Sequence, residues 1–492
     1  MTEATNREPA SSRSTQGATP VADHVALPVK QLSTAGWIGV LLILMLLTEQ
    51  SALSGALFAI ALPSFGREFN TTEIVWMITL ATLVGAVVTP LAGKLADIYG
   101  KKRVLIALAT ISTIGGCIGA LAVSWPMALL GRALGGTALA FLPVGYSLIR
   151  DTFPEGLRPL AIAIATNGIG VLIIVAQFSA GFLIEAFGVR SVFWVMAIAS
   201  GLGLALTALF VPESPIRART RIDWLGAFLL AAAIGLLLYT LTSGQALGWT
   251  SGPILGMALV IVALIVCWVA WELRCAHPLV RIGLLSNGPL AATIGVMSAG
   301  ILVQVAIGSV FPTMIVTSPT EGVGYGIGVP LKDVGYYTLL GGVMLVGTGF
   351  FVGSTAKLIG FRNHLIIGMI SMVTAAFFIS MFHSSPFEYI LAFGLMGFGG
   401  GCILSAGPNM IMTVAPEAER AIAAATASTI TLVFSTIGAQ LMFGILGAYL
   451  LPQESGDVIY QEIGFRYGFM VIGTIALLGL MLAYSLPRAK RA

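Results

Sequence analysis

Charge is what this sequence has least of. Only 9% of its 492 residues are Asp, Glu, Lys or Arg, against about 25% in a soluble globular chain, and that excludes a water-soluble fold of this size. Cysteine is almost absent. Cys117, Cys267, Cys275 and Cys402 are scattered with no CxxC pair, so neither a disulfide framework nor a zinc site is implied. The four histidines, His24, His277, His364 and His383, are expected in tails or loops and do not cluster, so no metal centre is expected. Nothing supports nucleic-acid binding.

What is present is apolar sequence: 57% of the chain, gathered into long runs. These can be read at 36–62, 74–96, 104–123, 125–149, 159–185, 191–211, 224–243 and 253–272. Six more follow at 288–317, 335–356, 363–382, 387–414, 421–450 and 464–486, which makes fourteen. A helix of about 20 residues spans a hydrocarbon core of about 30 Å, and lipid offers no partners for an unpaired backbone. The short alternating segments of a membrane barrel are missing. The expected fold class is an all-α polytopic membrane protein with 14 spans. Residues 1–35 lack an apolar core and read as a disordered tail.

Basic residues orient the bundle. Of the 25 Lys and Arg, only Arg67, Arg190, Lys332 and Arg466 fall on the side opposite the N-terminus, and Arg132 alone lies deep inside a run, away from its edges. The positive-inside rule then puts both termini in the cytoplasm, as expected for a multi-pass protein of the cytoplasmic membrane.

The chain also repeats itself. GKLADIYGKKR (93–103) is echoed by GSTAKLIGFR (353–362), FPEGLRPLAIA (153–163) by APEAERAIAAA (415–425), and GVRSVF (188–193) by GFRYGF (464–469). The three echoes keep their order, so the chain divides into a six-helix bundle at 36–211, a two-helix insert with flanking loops at 212–287, a second six-helix bundle at 288–486 and a cytoplasmic tail at 487–492. Parallel repeats with a substrate path between them are a transporter architecture.

The stretch 93–103 resembles the loop signature of the major facilitator superfamily, and the chain resembles that family's fourteen-helix drug:proton antiporter branch over about 36–486. Trp76 sits where that branch usually has one. LLGRALGGTALAFLPVGYSLIRD (129–151) is similar to its fourth-helix motif, with Arg132 in the arginine position, and LSGALFAIALP (53–63) resembles its first-helix motif. Three features depart. Ser54 stands where an acid is usual, Ala56 and Ala59 replace Thr and Asn, and the fifth-helix pattern becomes AQFSAG (176–181), without its proline. The resemblance implies that Gly93, Asp97, Gly100 and Arg103 form a conformational latch, in which the aspartate meets a helix N-terminus and arginines across the two halves.

The residues themselves add candidates. Glu49 lies near the middle of the first run, where a charge costs roughly 2.5–3.5 kcal/mol. Burial favours the neutral form of a carboxyl group, which suits Glu49 to proton coupling. Arg132 is the second proton-coupling candidate, within reach of a pair or water bridge to Glu49, although Glu49 and Ser54 point about 140° apart on the helix. Ser54, Gln177, Gln304, Asn409 and Gln440 are candidates to line the substrate cavity, with interhelical bonding as the competing role.

The expected function is secondary active transport by alternating access: export of hydrophobic or amphipathic small molecules, coupled to the proton gradient. No cofactor or catalytic residue is expected, and the only partners are substrate and bilayer, with the protein a monomer. Proton symport or uptake of a hydrophobic metabolite, lipid or glycolipid movement, and a non-transporting sensor are the alternatives. The runs hold no constellation for an enzyme.

Overall fold

Helices begin and end where polar or turn-forming residues break the apolar runs. The computed structural model describes residues 32–215, 217, 223–275, 278, 280–319, 323–451 and 459–487; the expected tails at 1–35 and 487–492 lie almost wholly outside these. In chain order come α1 (Thr34–Thr48), α2 (Gln50–Phe69), α3 (Trp76–Tyr99), α4 (Lys101–Ala120), α5 (Trp125–Gly135), α6 (Phe141–Thr152), α7 (Arg158–Phe187) and α8 (Ser191–Phe210). Then follow α9 (Trp224–Leu247), α10 (Gly252–Arg274), α11 (Gly288–Val316), α12 (Val334–Met381), α13 (Pro386–Val414), α14 (Arg420–Gly447) and α15 (Glu462–Ser485), with a two-stranded ribbon, β1 (Leu450–Leu451) and β2 (Ile459–Tyr460), before the last helix.

The starts carry their caps. Ser33 accepts the Gly36 N–H at 3.2 Å, Asp223 the Gly226 N–H at 2.8 Å, and Asn287 the Leu290 N–H at 3.3 Å, each satisfying an orphan donor of a first turn. Ser385 and Glu388 form a capping box on α13.

Twelve helices among the described residues are long and apolar enough to cross a membrane, where fourteen runs are read from the sequence. Two places account for the difference. Helix α12 is 48 residues long, about 70 Å at helical rise, and Gly360 inside it has φ 76° and ψ 155°. The chain folds back there: Gly341 packs on Gly397 and Ser371 bonds the Leu395 carbonyl, so both arms meet one turn of α13. The second place is α7, whose described apolar stretch is Leu172–Phe187.

Helices α1–α8 pack mainly on one another, and α11–α15 likewise. The two groups meet where α2 faces α11, α3 faces α14 and α7 faces α12. Helix α9 lies against both α3 and α14, while α10 touches little besides α9. Since lipid removes the hydrophobic drive between helices, close backbone approach must hold them. A Cβ on Gly131 would sit 2.5 Å from the Gly119 nitrogen, and one on Gly397 would overlap the Gly341 carbonyl.

His364, expected in a loop, lies within α12 and is fully buried. Its ring bonds the Gly360 carbonyl at 2.8 Å and Thr355 Oγ1 at 2.7 Å, so it plugs the polar gap that the fold-back opens.

Candidate functional site

Between the two groups, α2, α3 and α7 face α11, α12 and α13 across a cavity of about 290 Å³. Small residues make the room, among them Gly55, Ala56, Ala59, Gly308, Gly341 and Gly342. Polar groups are few: Ser51, Thr82, Gln177, Gln304, Ser309 and Thr338. No ionisable side chain among the described residues lines it. The charges of these helices sit at their ends, as Arg67, Glu68, Lys94, Asp97, Arg158, Glu185 and Glu388, or at the Gly360 turn of α12.

Of the five residues expected to line a cavity, two do: Gln177 from α7 and Gln304 from α11. Ser54 is turned away onto Arg132. Asn409 is exposed and donates to the Ser405 carbonyl at 2.8 Å, satisfied within its own helix. Gln440 is buried and accepts the Thr79 hydroxyl at 2.8 Å while donating to the Leu238 carbonyl at 3.5 Å. It ties α14 to α3 and α9.

Glu49 falls at the break between α1 and α2, 1% exposed, and neither carboxylate oxygen has a hydrogen-bond partner among the described residues. It does not pair with Arg132. That guanidinium donates to Ser54 Oγ at 2.8 Å and to the Met77 carbonyl at 2.5 Å, and lies 3.8 Å from the centre of the Phe58 ring. The reason is angular: Arg132 reaches the face of Ser54, and Glu49 occupies another. Beside Glu49 runs a buried polar chain. Gln50 donates to the Leu46 carbonyl at 3.1 Å and accepts the Ser200 hydroxyl at 2.6 Å, and Ser200 meets Ser112 at 3.0 Å. Ser112, Ser54 and Arg132 share a void of about 10 Å³, about the size of one water.

The loop after α3 is built around a buried ion pair. Lys101 and Asp151 are each only 2% exposed and bond directly, and Asp151 also accepts the Ser214 hydroxyl at 2.8 Å. Gly100 has φ 108°, and a Cβ there would meet the Glu213 carboxylate at 2.7 Å. That carboxylate accepts the backbone N–H groups of Lys102 at 2.9 Å and Arg103 at 3.3 Å, so the anion at the N-terminus of α4 is Glu213. Asp97 is 52% exposed and pairs with Lys101 at 3.7 Å. Arg103 is exposed, and a Cβ on Gly93 would meet nothing within 4 Å. Sequence reasoning missed Asp151, Ser214 and Glu213 as partners, although Asp151 closes the quoted fourth-helix motif.

The family profile described as Major Facilitator Superfamily matches residues 44–314, more than half of the chain. This protein belongs to the major facilitator superfamily. Among its relatives is a "Major facilitator superfamily multidrug transporter mfsC" of Aspergillus fumigatus, 29% identical over 66% of this chain and 61% of that protein. The multidrug resistance protein Stp of Mycobacterium tuberculosis is 26% identical over 80% of this chain and 72% of its own. The uridine/deoxyuridine transporter of Lactococcus lactis is 27% identical over 70% and 74%. Among solved structures, a peptide transporter of the POT family bound to a thioalcohol-conjugated peptide shares the fold, with a TM-score of 0.64, 14% identity and coverage of 91% of this chain and 96% of its own.

The protein is thus a multi-pass membrane transporter of the major facilitator superfamily and not an enzyme. Its two ends differ. At one, residues 323–333 form a strap in which Gly324, Gly326 and Gly328 have φ of 78°, 83° and 65°. The strap is tied to its own group where Tyr389 accepts the Gly326 N–H at 3.1 Å. It crosses to the other group at Glu185, which accepts the Lys332 N–H at 3.3 Å, and at Gly181, where a Cβ would overlap the Leu331 and Lys332 backbone. At the opposite end Asp97 stands exposed. The strap thus ties the two groups together at the Lys332 end.

Proposed function

We propose that this facilitator exports uncharged or amphipathic small molecules across the cytoplasmic membrane in exchange for protons, as a monomer. It crosses the bilayer fourteen times, counting α7 once and α12 as two crossings folded at Gly360. The bundles 36–211 and 288–486 rock about the cavity, the insert 212–287 stays at their side, and both termini remain cytoplasmic with the basic loops. The strap 323–333 then closes the outer end and the cavity drains inward. Asp97 is exposed in this state, paired with Lys101, and engages its latch, with Gly93, Gly100 and Arg103, when the inner end closes.

One observation carries the reading: Glu49 is a buried acid with no partner among the described residues, two residues from a wall of the cavity. An acid without a fixed counter-charge can bind and release a proton as access alternates, whereas Arg132, already held by Ser54, Met77 and Phe58, keeps the helices around it in register. Names such as multidrug transporter and multidrug resistance protein among the relatives support export. A second reading, uptake of an uncharged metabolite by proton symport, is favoured by the relative named a uridine/deoxyuridine transporter.

The test is transport in proteoliposomes under an imposed pH gradient. Wild type should move substrate against the proton flow, and Glu49→Gln should lose the gradient-driven part and its pH dependence. Equal gradient-driven flux in both removes Glu49 from coupling. Flux in the same direction as the protons selects symport.

A further inference from the structure

The cavity also carries a statement about what it accepts. Resting on the transport reading, we infer that the substrate is an uncharged, mostly apolar molecule with a hydrogen-bonding group at each of two edges, held between Gln177 and Gln304, and that organic cations are refused. Among the described residues most of the wall is small and aliphatic, Phe393 is its one aromatic ring, and no carboxylate faces it. A cation entering here gives up its hydration for no counter-charge, which costs far more than burying a neutral group. Glu49 does not offset this, because it is 1% exposed and lies outside the wall.

The two glutamines supply the positive half of the selection. Gln177 is 7% exposed, and its Oε1 is buried with no hydrogen-bond partner among the described residues. Gln304 is half-buried, its amide lying against the flat surface of Gly400. A buried amide oxygen left unpaired, as at Gln177, is costly, so a ligand that satisfies it is favoured. An amide can turn to offer either its oxygen or its NH₂, so each glutamine can accept from or donate to a ligand. They stand on opposite walls, Gln177 on α7 and Gln304 on α11. A molecule with an N–H at one edge and a carbonyl at the other would bridge the two moving groups, which a ligand bound to one wall alone would not do. Such a ligand binds differently to the open and closed arrangements, and only that difference can shift the balance between them.

Acridone and N-methylacridinium make the test. They are fluorescent rings of nearly one size; the first is neutral with N–H and C=O at opposite edges, the second is a permanent cation. Binding to purified protein in detergent should favour acridone at least tenfold. Gln177→Leu and Gln304→Leu should each weaken acridone about tenfold while leaving anthracene, which has no hydrogen-bonding group, within twofold. Retained anthracene binding shows that a variant has folded, and the wild-type comparison needs no variant at all. Equal affinity for the cation, or acridone affinity unchanged in both leucine variants, overturns the inference. Because these are binding measurements, they stand apart from gradient-driven flux: selective binding without transport would sink the proposed function and leave this assignment intact.

Discussion

The turns at Gly100 and Gly360 are the same bend built with different chemistry. Both glycines take positive φ, 108° and 76°, and both follow another glycine, Gly93 or Gly353, whose missing Cβ would meet nothing within 4 Å. Around Gly100 the groups are ionic: Lys101 with Asp151, and Glu213 on the N-terminus of α4. Around Gly360 they are largely neutral. His364 bonds the glycine carbonyl and Thr355, and Arg362 donates to the carbonyls of Leu486 at 2.7 Å and Tyr484 at 2.8 Å. The repeat has kept its geometry and let its charge lapse in the second copy. Among the described residues of the two groups, the buried Glu, Lys and Arg follow the same division, since Glu49, Lys101 and Arg132 all lie in the first group of helices.

The sharpest way to break this comparison is to remove one member of the buried pair. Lys101→Met should cost about 3–5 kcal/mol because it strands Asp151, read as thermal unfolding of the purified protein. The double variant with Asp151→Leu should recover most of that. A single-variant loss no larger than that of a surface change would mean the pair is not ionic.

Gly100→Ala comes next, at about 1–3 kcal/mol. It forces a side chain into positive φ and against Glu213, so it should exceed Gly360→Ala in the same melt, and equal losses would show that Glu213 contributes nothing. His364→Leu should cost about 1–3 kcal/mol for the carbonyl left unpaired at Gly360, with little change in transport. Asp97→Asn should shift stability least, within about 0.5 kcal/mol, yet lower proteoliposome flux at least tenfold. The positional counterpart Lys357→Gln should leave flux near wild type, and a comparable fall there would make the second turn a latch as well.

Much of the fold was legible because lipid writes helices as uninterrupted apolar runs. Gly100 and Gly360 fall in the gaps between apolar runs, 96–104 and 356–363, and glycine adopts the φ of such turns freely. The partners were another matter. Glu213 lies more than a hundred residues from the N–H groups it accepts, and nothing in a linear pattern joins them. The expected Glu49–Arg132 pairing failed on helical angle, as the offset from Ser54 already hinted. The departures from the antiporter motifs proved informative in a way that residue type alone could not convey. Ala56, Ala59 and Gln177 are departures, and all three line the cavity. Ser54, also a departure, instead holds Arg132.

Helix α9 leans on α3 from one group and α14 from the other, joined through Thr79, Gln440 and the Leu238 carbonyl. A passenger strapped to two bodies cannot ride both once they part. If the groups rotate, the hydroxyl of Thr79 must let go of the glutamine, and for as long as Gln440 keeps the carbonyl of Leu238 the extra helix pair travels with the half that holds α14.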